Sequence, residues 1–170
     1  GVLVLFNMAR LSIPFYIVFG RQVFDLPDGA LGIIIPVQMA GRIAGAVLWG
    51  SVGDRSGHER AIRGVTLIAS LPAAIALVAA VALPATTASV VGTFALLFFA
   101  LGFSLEGGPP FINYMLAIVP EEQRPMYAGL MGVGYVPAAL APIIGGLLIS
   151  RWSYSGLFGV TLVLAVLAVV

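Results

Sequence analysis

Six apolar segments, several of them reaching the roughly 20 residues with which a helix crosses a bilayer's hydrocarbon core, follow one another along this chain. Backbone N–H and C=O groups have no water to bond in hydrocarbon, so a spanning segment must be a helix or part of a closed barrel. None of the six alternates polar and apolar residues as a barrel strand does, so the segments read as helices. Only 9% of the residues are charged, where a soluble domain of this size carries roughly 25%. That is too few to keep a surface wet, and the expected class is an all-α membrane protein.

The segments are residues 1–19, 30–52, 62–83, 89–119, 126–149 and 156–170, together one six-helix transmembrane unit over residues 1–170. "GRQVFDLPDG" closes the first with Gly20, Pro27 and Gly29, and "PATT" stops the third. The fourth is longer than one straight crossing needs, and "GGPP" inside it predicts a bend or break at Gly107–Pro110. "PEEQRP" ends it, and "SRWSYSG" separates the fifth from the sixth.

Net charge is +1 and there is no run of Lys or Arg, which argues against nucleic acid as a partner. Cysteine is absent, removing disulfides, thiol catalysis and Cys-ligated metal. No metal-binding or nucleotide-binding motif is present, so no cofactor is expected. The N-terminal stretch has no basic region ahead of a clean apolar core, so no cleaved signal peptide is read. The chain starts without Met and stops inside an apolar run, so a longer parent protein is expected. Arg55, Arg60, Arg63 and Arg124 fall in the loops on one side and Arg21 and Arg151 on the other, which predicts both ends in the cytoplasm.

The densest polarity lies in "GSVGDRSGHER", between the second and third segments. Gly50, three residues, Asp54, Arg55, one residue, Gly57 and then Arg60 resemble the signature loop of the major facilitator superfamily. "VPEEQRPMYAGL", between the fourth and fifth segments, resembles the companion loop of that family. The resemblance covers the whole chain as one half of a twelve-helix transporter, and it implies a bundle of two three-helix repeats. A faint match between "GSVGDR" and "GLLISR" fits such a repeat. The implied activity is secondary active transport of a small solute by alternating access, driven by a transmembrane ion gradient, of protons. The implied partners are that solute, the lipid bilayer and the other six-helix half, in a multi-pass plasma or inner membrane protein. The resemblance makes Asp54, Arg55 and Arg60 an inner gate, with Asp54 contacting the opposite half. An aspartate there is also expected to cap backbone N–H groups at a helix end. His58 and Glu59 stand where the family usually has basic residues, and Ala100, Leu101 and Gly102 stand where first halves often carry arginine. Both departures favour a C-terminal half. "PAALAPIIGG" is similar to the antiporter-type motif, with Pro137 and Ala141 in place of two glycines ahead of Pro142, Gly145 and Gly146. Close helix packing by small residues is the other reading of that stretch.

Charged side chains inside a bilayer are costly and usually face a partner or a wet cavity. Asn7, Arg10 and Pro14 share one helical face, as do Gly102, Glu106, Pro110 and Asn113. The resemblance puts the first and fourth helices along a central cavity, so Glu106 is expected to be a coupling carboxylate with Arg10 as its modulator. A purely structural ion pair between the two helices is the alternative. Gln38 and Arg42, one turn apart, are cavity or structural candidates, and Gly41-x-x-x-Gly45 is a packing motif. Trp49, Trp152 and Tyr154 are expected at membrane interfaces; Tyr114, Tyr127 and Tyr135 line a cavity or simply pack. Two rivals to transport are a non-transporting scaffold or pseudo-half, and an intramembrane protease using Ser104. The protease needs a base beside the serine, and the lone His58 lies in the loop.

Overall fold

The computed structural model describes residues 2–82, 86–106 and 108–169. Its α-helices are α1 (Val2–Met8), α2 (Tyr16–Phe24), α3 (Leu31–Ser56), α4 (His58–Ile68), α5 (Leu71–Ala82), α6 (Thr87–Leu105), α7 (Gly108–Ile118), α8 (Arg124–Gly134), α9 (Val136–Ala139) and α10 (Ala141–Val169), with short 3-10 turns between some of them. Taken across their breaks they make five stretches long and apolar enough to cross a membrane: Val2–Phe24, Asp28–Ser56, His58–Ala82, Thr87–Ile118 and Glu121–Val169.

Proline accounts for most breaks, because its ring removes a donor and crowds the carbonyl four residues back. Ahead of Pro14 the backbone tightens, with Arg10 N bonding Asn7 O at 3.2 Å and Leu11 N bonding Met8 O at 3.1 Å. The first crossing is therefore broken at its middle, where a continuous helix over 1–19 was expected. Pro72 ends α4 at Ile68, and Pro137 and Pro142 break up the segment expected to run unbroken over 126–149. Pro36 lies one turn into α3 and leaves it continuous. The fourth stretch stops at Leu105 and restarts at Gly108, as "GGPP" predicts, and Gly107 lies outside the described residues. Gly1, Leu83, Pro84, Ala85 and Val170 also lie outside them.

Three boundaries differ from expectation, and the first is that the opening stretch does not end at residue 19 but runs through Gly20 to Phe24. The second stretch does not end at residue 52 but runs to Ser56, and the third starts at His58, so the expected loop contracts to Gly57. The segments expected at 126–149 and 156–170 fall within one 49-residue stretch, interrupted at Ser153 by φ 61° and ψ −176°. Contacts show what that interruption does. Gly134 lies against Leu3 and Gly145 against Phe15, so the chain first climbs beside α1 and its extension. Beyond Ser153 it descends: Tyr154 bonds Gln22, Phe158 stacks on Tyr16, and Ala168 meets Val2 and Leu3 around one groove.

The bundle has a dense aromatic end and a more polar one. Tyr16, Phe19, Phe24, Phe94, Phe98, Tyr154 and Phe158 stack on one another at the end where Arg21 pairs with Asp28 at 2.8 Å. A second, smaller core of Phe6, Trp49, Val65 and Phe111 sits towards the Gly57 end. Between them α3 and α6 run side by side with their backbones touching. A Cβ built on Gly41 or Gly102 would strike the carbonyl oxygen of Phe99 or Gln38, and one on Gly45 would strike that of Phe103. Only glycine permits that approach.

Candidate functional site

This glycine contact sets the height at which polar side chains of α3 and α6 can meet. Arg42 follows Gly41, and Glu106 stands one turn beyond Gly102 at the end of α6. Arg42 Nε donates to Glu106 Oε1 at 2.7 Å, joining the middle of α3 to the break between α6 and α7. The pair is not sealed in: the Arg42 side chain is 47% exposed and that of Glu106 22%. Trp49 Nε1 donates to Phe103 O at 3.0 Å one level further along, tying the same two helices.

Beside Glu106 lies a cleft of about 80 Å³ lined by Trp49, Gly50, Gly53, Asp54, His58, Pro109, Pro110 and Asn113. It carries the polar side chains of Asp54, His58, Glu106 and Asn113 and is roomy enough for a few waters. The structure thus gathers Gly50, Asp54, Glu106 and Asn113 around one space and sets Arg42 at its edge through the ion pair. Gln38 lies one turn before Arg42, half-buried, its carbonyl against Gly102.

Other candidates fall elsewhere. Arg10 does not reach Glu106; its guanidinium lies over the Phe6 ring, 5.3 Å from the centroid, at the break in the first crossing. The expected partner of Glu106 is replaced by Arg42 because Gly41, Gly45 and Gly102 bring α3 closest to α6. Asn7 lines no cavity: it is 1% exposed, its Nδ2 donates to Leu3 O at 2.9 Å, and its Oδ1 is unpartnered among the described residues. Of the two glycines in the packing set, Gly145 lies against a neighbour, Phe15. A Cβ on Gly146 would meet nothing within 4 Å, Pro142 is exposed, and Pro137 is half-buried beside the break it causes.

The signature residues are helical, not looped. Asp54 and Arg55 occupy the last turn of α3 and Arg60 the first turn of α4, all exposed, and among the described residues none makes an ion pair. Asp54 caps nothing, since the residue ahead of α4 is Gly57 and no side chain bonds there. Gly57, at φ 90° and ψ 151°, allows the one-residue connection, and its N–H bonds Gly53 O at 3.1 Å. Gly53 is buried against the His58 ring. Trp49, expected at an interface, is 6% exposed, packed over Gly64 and edge-on to Phe103. Trp152, by contrast, is 62% exposed. Ser104 is buried and donates to Leu101 O at 2.9 Å within its own helix, which removes it as a nucleophile beside a base.

A family model described as Major Facilitator Superfamily matches residues 1–170. The chain belongs to the major facilitator superfamily. As a superfamily member it is a membrane protein of transmembrane helices. The "Low affinity inorganic phosphate transporter 4" of Lotus japonicus is 33% identical over 85 residues, which is 50% of this chain and 16% of that protein. The chain therefore spans well under two thirds of that relative. No solved structure matches.

Proposed function

We propose that this superfamily chain is one six-helix half of a secondary active transporter that moves a small solute by alternating access, coupled to protons through Glu106 and its counter-ion Arg42. The single observation that carries the reading is the exposed Arg42–Glu106 pair at the break between α6 and α7. An ion pair this open to solvent is screened and holds its helices only weakly, and a cleft carrying Asp54, His58 and Asn113 adjoins its Glu106 side. A carboxylate so placed can take up a proton from water and lose its hold on arginine in the same event.

Six crossings are proposed, counting two in the stretch that reverses at Ser153. A repeat of three helices accords with burial: Ile34, Gly41 and Gly45 of α3 have counterparts at the same offset in Gly134, Ala141 and Gly145. The Gly57 end is proposed to face the cytoplasm of the plasma or inner membrane, with Asp54, Arg55 and Arg60 exposed for contact with the other half. The C-terminal half remains the favoured assignment on Ala100, Leu101 and Gly102.

The test is net proton movement in liposomes holding the intact transporter, with a pH dye inside and a gradient of each of several candidate solutes. Glu106→Gln is expected to abolish solute-driven acidification while leaving solute exchange in place. Acidification persisting at the wild-type rate removes Glu106 from coupling, and absence of solute-dependent flux in wild type across solutes supports the scaffold reading.

A further inference from the structure

We infer that the ligand admitted at this site is a small oxyanion, a carboxylate or phosphate, which replaces Glu106 on Arg42 when Glu106 is protonated. The inference rests on Glu106 being the coupling carboxylate and adds the chemical class of the solute.

The argument starts from the asymmetry of the pair. A guanidinium stays protonated at any physiological pH, whereas a carboxylate can be neutralised. Only Glu106 can therefore change charge, and Arg42 is left as a constant cation. Its Nε is the atom that bonds Glu106, and no other Arg42 nitrogen has a bonded partner among the described residues. With the side chain 47% exposed, the remaining N–H fork is open to a ligand.

The charge states then decide what can bind. While Glu106 is ionised the pair is neutral, and an anion arriving at Arg42 would set two negative groups against one positive one. A cation at Glu106 would face the permanent charge of Arg42. Both are unfavourable where the dielectric is low. Once a proton from the cleft neutralises Glu106, Arg42 is a lone cation in a half-enclosed place, and an anion restores neutrality. The proton goes to a Glu106 carboxylate oxygen, the Nε–H bond to it is released, and the guanidinium passes to the oxyanion; departure reverses each step. Proton and anion enter together with no net charge. Gln38 on α3 and Asn113 on α7 are uncharged, and the other ionisable groups around the cleft are Asp54 of α3 and His58 of α4.

The experiment uses the intact transporter in detergent, with inorganic phosphate and L-lactate as separate probes. Binding is followed by calorimetry, and Glu106 protonation by the carboxyl C=O infrared band of Glu-labelled protein. By linkage, each probe that binds must raise the pH at which Glu106 titrates, and its affinity must rise on acidification by the same factor, about tenfold for a coupling of ordinary size. Glu106→Gln should bind the probe with high affinity at all pH values. Arg42→Gln should lose binding, and Arg42→Lys, which keeps charge but not the fork, should bind more weakly with pH dependence intact. A response to phosphate alone or to lactate alone identifies which oxyanion is taken. If Glu106 titrates and neither probe moves it, the oxyanion inference is overturned while coupling through Glu106 stands. If Glu106 does not titrate across roughly pH 4 to 9, both readings fall.

Discussion

The contact of α3 with α6 and that of the first stretch, Val2–Phe24, with the α8–α10 stretch are both made at glycines, yet they are built differently. In the first, glycines on both helices bring backbone onto backbone, Gly41 to Phe99, Gly45 to Phe103 and Gly102 to Gln38. In the second, glycines receive side chains, Leu3 at Gly134 and Phe15 at Gly145. Backbone cannot rotate away, whereas a leucine or phenylalanine can change rotamer. The first contact therefore fixes the relative height of its helices to within a fraction of an ångström, and it is there that the ion pair sits. The second tolerates adjustment, and its helices carry three proline breaks, at Pro14, Pro137 and Pro142.

The hardest test of this difference is Gly102→Val. Its Cβ would meet the Gln38 carbonyl and the Arg42 N–H, so α3 and α6 must separate along their whole contact. Overpacking costs typically 1–3 kcal/mol where side chains can yield, and with backbone on the other side the expected loss is about 3 kcal/mol or more. A thermal melt of the purified transporter should show the lowest midpoint of any variant named here. A melt within a few degrees of wild type would mean that the two backbones are not in contact.

A smaller effect is expected at the ion pair. Replacing Arg42 by Leu leaves Glu106 without its partner, and replacing both by Leu removes the orphan. Breaking a buried pair costs about 3–5 kcal/mol; exposure of Arg42 reduces this to about 1–2 kcal/mol by solvent screening. The double variant should recover most of that loss in stability and none of the proton movement proposed for Glu106. Equal stability of Arg42→Leu and wild type would show that water alone satisfies Glu106.

What the sequence disclosed follows the same division. Apolar length gave the long helical stretches and "GGPP" gave the break between α6 and α7, because both effects are local; the breaks at Pro14, Pro72, Pro137 and Pro142 were not anticipated, although a proline marks each of them. The partner of Glu106 was not legible, since a helical face says which way a side chain points and nothing about which neighbour stands at its level. One signal was available: Gly41 beside Arg42, and Gly102 one turn before Glu106, mark the closest approach and so the level of the pair. The signature loop was misread as a loop because Gly50 and Gly53 suggested a turn. Only Gly57 has the positive φ that a turn demands, while Gly53 is glycine to make room for His58. The Ser153 reversal carried no glycine or proline at its centre and was placed only through the "SRWSYSG" polarity.

The finest discrimination lies within the second contact, at two adjacent glycines. Gly145→Ala directs a methyl at the edge of the Phe15 ring, while Gly146→Ala directs it into open space. If this contact is held by side chains that can yield, the Phe15 ring turns aside and Gly145→Ala costs about 1 kcal/mol, the low end for overpacking. Gly146→Ala should instead gain about 0.5 kcal/mol, the helix preference of alanine over glycine. The sign change between neighbours is read from paired melts. A Gly145→Ala loss as large as that of Gly102→Val would show that the ring is locked, and the second contact would then be as rigid as the first. In that case any greater freedom of the second contact would have to come from the breaks at Pro14, Pro137 and Pro142 alone.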